Sequence, residues 1–188
     1  MAYFPAFIQL DHKEIILIGG GAIAQEKLEK LLDFTCKITL LAKEFSPEIL
    51  KLIKQHNLNY IQKEYKKGDI KSYGVVIVAV DDIEVQKQIH KESRNYNCLL
   101  NVVDLPELCD FIFPSYIKNG DLTIAVSTSG ASPAMAKQLR LFIQSILPKD
   151  INSFLQEMRE YRKTLPKGKE RMRMLEEKAK NYIKGLQK

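Results

Sequence analysis

The run from Glu14 to Ile18 ends in three consecutive glycines, Gly19-Gly20-Gly21, after which apolar side chains recur at Ala24, Leu28, Leu31 and Leu32. A short Ile- and Leu-rich run suits a buried strand, whereas apolar residues three and four apart suit one face of a helix. The glycines between them interrupt both patterns and supply a tight turn. Strand, glycine turn and helix are therefore expected in immediate succession, which directs the chain towards an α/β fold with a parallel sheet.

The alternation continues. Lys37–Leu41 reads as a second strand, and Ser46-Pro47 supplies an N-cap and a first-turn proline for a helix over about residues 47–55. Asn59–Gln62 reads as a third, weaker strand, and Val75–Val80 is a β-branched run suited to the centre of a parallel sheet. A helix from Ile83 to about Arg94 and a strand over Leu99–Val103 follow. An open, Rossmann-like parallel sheet with right-handed crossovers is expected over residues 1–113. In residues 114–148, Asn119-Gly120 lies between two strand-like arms, a hairpin signal. Ser132-Pro133 then opens a helix carrying Met135, Leu139, Phe142, Ile143 and Ile146, closed by Pro148. Residues 149–188 read as two helices broken near Pro166-Lys167-Gly168, with Phe154, Leu155, Met158 and Tyr161 on one apolar face. The fold class expected is α/β: a Rossmann-like parallel sheet, then an antiparallel hairpin region, then a C-terminal helical region.

Composition removes several classes of function. With 45% hydrophobic and 28% charged residues, the 188-residue chain is neither collagen-like nor disordered. Its apolar runs fall far short of the roughly 18 residues of a membrane span. The N-terminal Met1-Ala2-Tyr3-Phe4-Pro5 lacks the basic and apolar regions of a secretory signal, so a cytoplasmic location is expected. Cys36, Cys98 and Cys109 are odd in number and fit neither a disulfide framework nor a zinc pattern, and His12, His56 and His90 stand alone. Reduced thiols and no metal site are expected. Residues 1–148 carry 17 basic and 17 acidic side chains, whereas residues 149–188 carry 12 and 6, so the whole surplus of +6 sits in the tail. Such a surplus is more often a solvated helix face than a seat for nucleic acid or another polyanion, and charge alone leaves both readings open. Without Trp or a recognition motif, no nucleic-acid partner is expected.

Gly19-Gly20-Gly21-Ala22-Ile23-Ala24 fits the dinucleotide pattern G-x-G-x-x-G/A in its proper setting, between a strand and a helix. Gly19 would allow the turn, Gly21 would admit a pyrophosphate, and Ala24 would let the helix pack closely on the strand. At the end of the second strand, Glu44 suits a ribose hydroxyl and Lys43 a 2′-phosphate, so these residues leave NAD and NADP both open. Val80-Asp81-Asp82 ends the Val75 strand at the same edge, where an aspartate either caps the next helix or lines the cofactor. Asn101-Val102-Val103-Asp104 ends the next strand, and Asp104 reads equally as a turn cap or as a base beside a nicotinamide. Ser127-Thr128-Ser129-Gly130, just before a helix, suits a substrate carboxylate.

Taken in order, these motifs, with Phe4-Pro5-Ala6-Phe7, Asp110-Phe111-Ile112-Phe113-Pro114, Ala131-Ser132-Pro133 and Arg140, resemble the precorrin-2 dehydrogenase family, the N-terminal module of siroheme synthases. The resemblance covers roughly residues 3–148. It implies oxidation of precorrin-2 to sirohydrochlorin, with hydride passing to NAD and Asp104 as the catalytic aspartate. NAD would rest on Gly19, Gly20, Gly21, Ala22, Ile23 and Ala24, beside Lys43 and Glu44, with Val80, Asp81, Asp82 and Asn101 at neighbouring strand ends. The resemblance also implies a homodimer, with the hairpin and later helices exchanged or packed between subunits. The substrate is a polycarboxylate, which the Ser127–Gly130 loop and the basic tail would receive. Some members of the family also insert iron, so a bifunctional dehydrogenase and ferrochelatase is one alternative and a non-catalytic dinucleotide-sensing domain another; the short C-terminal part favours the dehydrogenase alone.

Overall fold

The computed structural model describes residues 3–186; Met1 and Ala2, which entered the reading of the N-terminus as leaderless, lie outside it. The apolar runs enter one five-stranded parallel sheet, formed by β1 (Ile15–Ile18), β2 (Ile38–Ala42), β3 (Asn59–Gln62), β4 (Val75–Val78) and β5 (Leu99–Val102) in the order β3-β2-β1-β4-β5. Strands buried on both faces must be apolar throughout, and β1 and β4 are fully buried over their lengths. β3 closes one edge, and all four of its residues are exposed. That is why its sequence signal is weak. β4 ends two residues before the expected Val80, whose carbonyl accepts the Gln86 amide at 2.6 Å.

Alternating side chains divide the core into two layers. Ile15, Leu17, Ile38, Leu40, Val75 and Ile77 face α1 (Ala22–Leu32) and α2 (Pro47–His56), which contribute Leu28, Leu31, Ile49 and Ile53. Ile16, Ile18, Leu41, Val76, Val78 and Leu100 face the other way, towards Ile89 of α3 (Ile83–Ser93) and towards Ile70. Burying each such side chain contributes about 1.5–3 kcal/mol. Ile70 belongs to residues 63–74, which join β3 to β4 without an α-helix. Buried Glu92 of α3 holds this link: it accepts the Tyr65 hydroxyl on one oxygen and the Gly68 N–H on the other at 2.8 Å.

The chain divides into two compact units, the first running to Phe113 and the second starting at Pro114. In the second, β6 (Ser115–Asn119) and β7 (Leu122–Val126) form the antiparallel hairpin, with Asn119 opposite Leu122. The loop is thus Gly120-Asp121, not centred on Asn119-Gly120, and Gly120 supplies the positive φ of 58° at its first position. α4 (Pro133–Ile146) packs on the hairpin and buries Ala136. α5 (Ile151–Thr164) and α6 (Lys169–Leu186) pair through stacked Phe154 and Tyr182 rings at 4.0 Å and a Lys178–Glu157 ion pair at 3.1 Å.

Candidate functional site

Strand order reverses between β1 and β4. The chain leaves β1 for α1 on one face and leaves β4 for α3 on the other, so a crevice opens between the two departures, the place where open α/β sheets hold ligands. A cavity of about 930 Å³ lies there, lined by the β1–α1 turn, the ends of β2 and β4, and the residues just after β3.

The glycines of the turn have different tasks. Gly19 has φ 139°, and a Cβ there would collide with the Ala79 carbonyl; one at Gly20 would collide with the Glu44 carbonyl. These two fit the turn into the fold. Gly21 has an ordinary extended conformation and nothing within 4 Å of its missing Cβ. It is the N-cap of α1. Ser46, Asp82 and Ser132 cap α2, α3 and α4 with side-chain hydrogen bonds, but no side chain among the described residues caps α1, and its first turn contains no acid. Its first turn, which lines the cavity, has the uncapped N–H groups and positive dipole end that suit an anion. Open space at Gly21 beside these donors fits a pyrophosphate, so the residues suit a dinucleotide. Ala22 and Ile23 also line the cavity, while Ala24 is fully buried behind it, against Gly19.

On the β2 side, Lys43 and Glu44 line the cavity together with Lys63, Glu64 and Tyr65. Lys43 Nζ lies 2.5 Å from Glu64 Oε1. This hydrogen-bonded pair holds the lysine above its ordinary pKa and the glutamate below its own. Lys63 is paired with Asp69 at 2.6 Å. Burial, then the bond to Glu92, pushes the Tyr65 phenol up.

At the end of β4, Val80, Asp81 and Asp82 line the cavity, and Asp82 Oδ1 caps α3 by accepting the N–H groups of Glu84 at 2.9 Å and Val85 at 3.1 Å. Asn101 does not line it. The side chain is buried, and its Nδ2 donates to the Phe111 carbonyl at 2.9 Å, so it fastens the segment after β5. Asp104 follows β5 at the same carboxyl edge, exposed and in the left-handed conformation at φ 67°. Across from it, Lys27 of α1 lies over the Phe113 ring at 5.2 Å and within reach of the Asp104 charge. Burial and neighbouring Lys30 lower the Lys27 pKa, while Glu26 and Asp104 oppose them.

In the second unit, the loop before α4 is self-braced. Ser127 Oγ accepts the Ser129 N–H at 3.1 Å, Thr128 Oγ1 accepts that of Ser132 at 3.0 Å, and Ser129 and Gly130 both have positive φ. Both hydroxyl hydrogens can still be donated. Among the described residues no cluster of three or more metal-ligating side chains occurs, and no helix is long and apolar enough to cross a membrane.

The sequence reading overlooked Lys63, Glu64, Tyr65 and Lys27. The first three follow β3 at its carboxyl end, where ligands of open sheets gather, and that position is the signal that marks them. Lys27 had no such signal, being one of several lysines on α1.

Comparison with known proteins adds an independent line. A family described as putative NAD(P)-binding matches residues 6–115, and one described as sirohaem biosynthesis protein central matches residues 119–145. A siroheme synthase of Ruthia magnifica is 34% identical over 148 residues, 79% of this chain and 31% of that protein. One of Methylococcus capsulatus is 36% identical, again over 79% of this chain and 31% of its own length. The chain thus spans about a third of the length of these relatives. A solved structure of SirC, precorrin-2 dehydrogenase, shares the fold, with a TM-score of 0.80 and 22% identity over 98% of this chain and 99% of that one.

Proposed function

The chain belongs to the putative NAD(P)-binding family matched over residues 6–115, joined to a sirohaem biosynthesis central region, and on that premise we propose that it is a precorrin-2 dehydrogenase, oxidising precorrin-2 to sirohydrochlorin in siroheme biosynthesis with NAD as cofactor. The observation that carries this reading is the uncapped N-terminus of α1 behind Gly21, on the same sheet edge as Asp104.

NAD, when bound, supplies the hydride acceptor. Gly19 and Gly20 fix the turn, and the first N–H groups of α1 would hold the pyrophosphate of the bound dinucleotide. The oxidation removes a hydride from a bridging carbon of the substrate and a proton from a pyrrole nitrogen conjugated with it. Asp104 accepts that proton, and its exposed position lets it pass the proton on to water. Hydroxyls of Ser127, Thr128 and Ser129 and the backbone of Gly130 bind substrate carboxylates, and the basic surplus of α5 and α6 attracts them. A homodimer covers the apolar face of α4, where Met135, Leu139, Phe142 and Ile146 are exposed. The proposal places the reaction in the cytoplasm, without nucleic acid or membrane as partner.

The test is anaerobic incubation with enzymatically generated precorrin-2 and NAD, following sirohydrochlorin absorbance, with Asp104→Asn alongside. Asparagine tolerates the left-handed conformation, so the variant keeps the fold and changes only the base. Turnover by the wild type and a fall of roughly 10²–10⁴-fold in the variant are expected. Undiminished turnover by Asp104→Asn would remove the assigned base. A wild type that binds NAD yet does not turn over would be a dinucleotide sensor.

A further inference from the structure

β2 and β3 are parallel neighbours with Ala42 opposite Gln62, so the residues that follow them emerge side by side at the cavity rim. The end of the second strand is where a dinucleotide-binding sheet reads the adenine ribose, by a carboxylate on the 2′-hydroxyl or by a cation on a 2′-phosphate. Here β2 is followed by a cation, Lys43, but an acid reaches it from β3: Glu64 lies 2.5 Å away. We infer that Glu64 sets dinucleotide preference, its carboxylate engaging Lys43 and offering the acceptor for a ribose 2′-hydroxyl while excluding a 2′-phosphate. This rests on the dinucleotide reading proposed above.

The rest of the lining agrees. Glu44, Glu64, Asp81 and Asp82 face two ammonium groups, Lys43 and Lys63, and both of these are already paired, Lys63 with Asp69. A 2′-phosphate would bring about −1.5 to −2 charge into a rim with an acidic excess and no unpaired lysine among its described residues. A 2′-hydroxyl needs only an acceptor, which Glu64 keeps while it holds Lys43, since each carboxylate oxygen has more than one lone pair.

The test is calorimetric titration of the full chain with NAD and with NADP. Wild type is expected to favour NAD. In Glu64→Gln the ratio of NADP to NAD dissociation constants should fall about tenfold, because one repulsive charge is lost and Lys43 is released. The shift should shrink at roughly 1 M salt, where the Debye length is about 3 Å. Adding Lys43→Ala to Glu64→Gln should cancel the gain for NADP. The inference is overturned if wild type favours NADP, if Glu64→Gln leaves the ratio unchanged, or if Glu44→Gln moves it in place of Glu64→Gln. Binding of NAD without any response to Glu64→Gln defeats this inference alone. Binding of neither dinucleotide to wild type removes the reading beneath it as well.

Discussion

Replacing Gly21 and Gly19 separately by alanine should divide binding from folding within one turn. At Gly21 the backbone has φ −99° and ψ −168°, and the new methyl meets nothing within 4 Å. Alanine is the poorer N-cap by about 0.5–1 kcal/mol, but it restricts the unfolded chain and returns about 0.4–1 kcal/mol. The two nearly cancel, leaving a net change of about 0.5 kcal/mol or less and a Tm within about 4 °C of wild type. At Gly19 the φ of 139° adds roughly 1–3 kcal/mol of strain for any side chain, and the collision with the Ala79 carbonyl about 1–3 kcal/mol more. Gly19→Ala should therefore melt on the order of 10 °C lower, or further. Binding should follow the opposite order among folded protein. The Gly21 methyl stands where a pyrophosphate must approach the α1 N–H groups, and a loss of about tenfold to a hundredfold in NAD affinity is expected, about 1.4–2.8 kcal/mol. Thermal melts and calorimetric titration of the two variants make the comparison. A Gly21→Ala protein that binds NAD like wild type would show that the cofactor does not sit on this helix end. One that melts as early as Gly19→Ala would show that the turn's contacts have been misjudged.

Glu92→Ala leaves the Tyr65 hydroxyl and the Gly68 N–H without their buried acceptor. It should cost about 2–3 kcal/mol in urea unfolding and raise amide exchange across residues 63–70, whereas unchanged exchange there would mean that Glu92 does not hold the link. Burial pushes the Asp110 carboxyl up, but Arg94, bonded through both nitrogens at 2.9 Å, and the Leu100 N–H outweigh it and hold the group low. A carboxyl lowered by folding stabilises above its unfolded pKa of about 3.9 and loses that contribution as pH falls through the folded value. Asp110→Asn should accordingly be less stable than wild type at neutral pH, with the gap closing as acid protonates the wild-type carboxyl; a gap independent of pH would contradict this. Burial also raises the Cys98 and Cys109 thiols, whereas Cys36 is exposed. Mass spectrometry during iodoacetamide treatment should show the earliest adduct at Cys36 and slower ones at half-buried Cys98 and Cys109.

Much of the architecture was legible because it is written locally. Ser46-Pro47 and Ser132-Pro133 start helices because a hydroxyl accepts a first-turn N–H and proline's fixed φ suits the next position. The buried strands announced themselves by apolar continuity, and the break between α5 and α6 by Pro166 and Gly168. Where a local rule allowed two outcomes, packing chose. The hairpin turned on Gly120-Asp121 because Asn119 pairs with Leu122 in the ladder, and the Asn101 amide was drawn inward to the Phe111 carbonyl.

The sequence alone determined the strand, glycine turn and helix, since only residues without side chains pass through Gly19 and Gly20, and it placed Asp104 at a strand end. It could not show that Glu64 meets Lys43, that Glu92 anchors the link after β3, or that Lys27 lies near Asp104. Those pairings depend on β3 lying beside β2 and β4 beside β1, an order settled by burial of both sheet faces over separations that no local pattern spans.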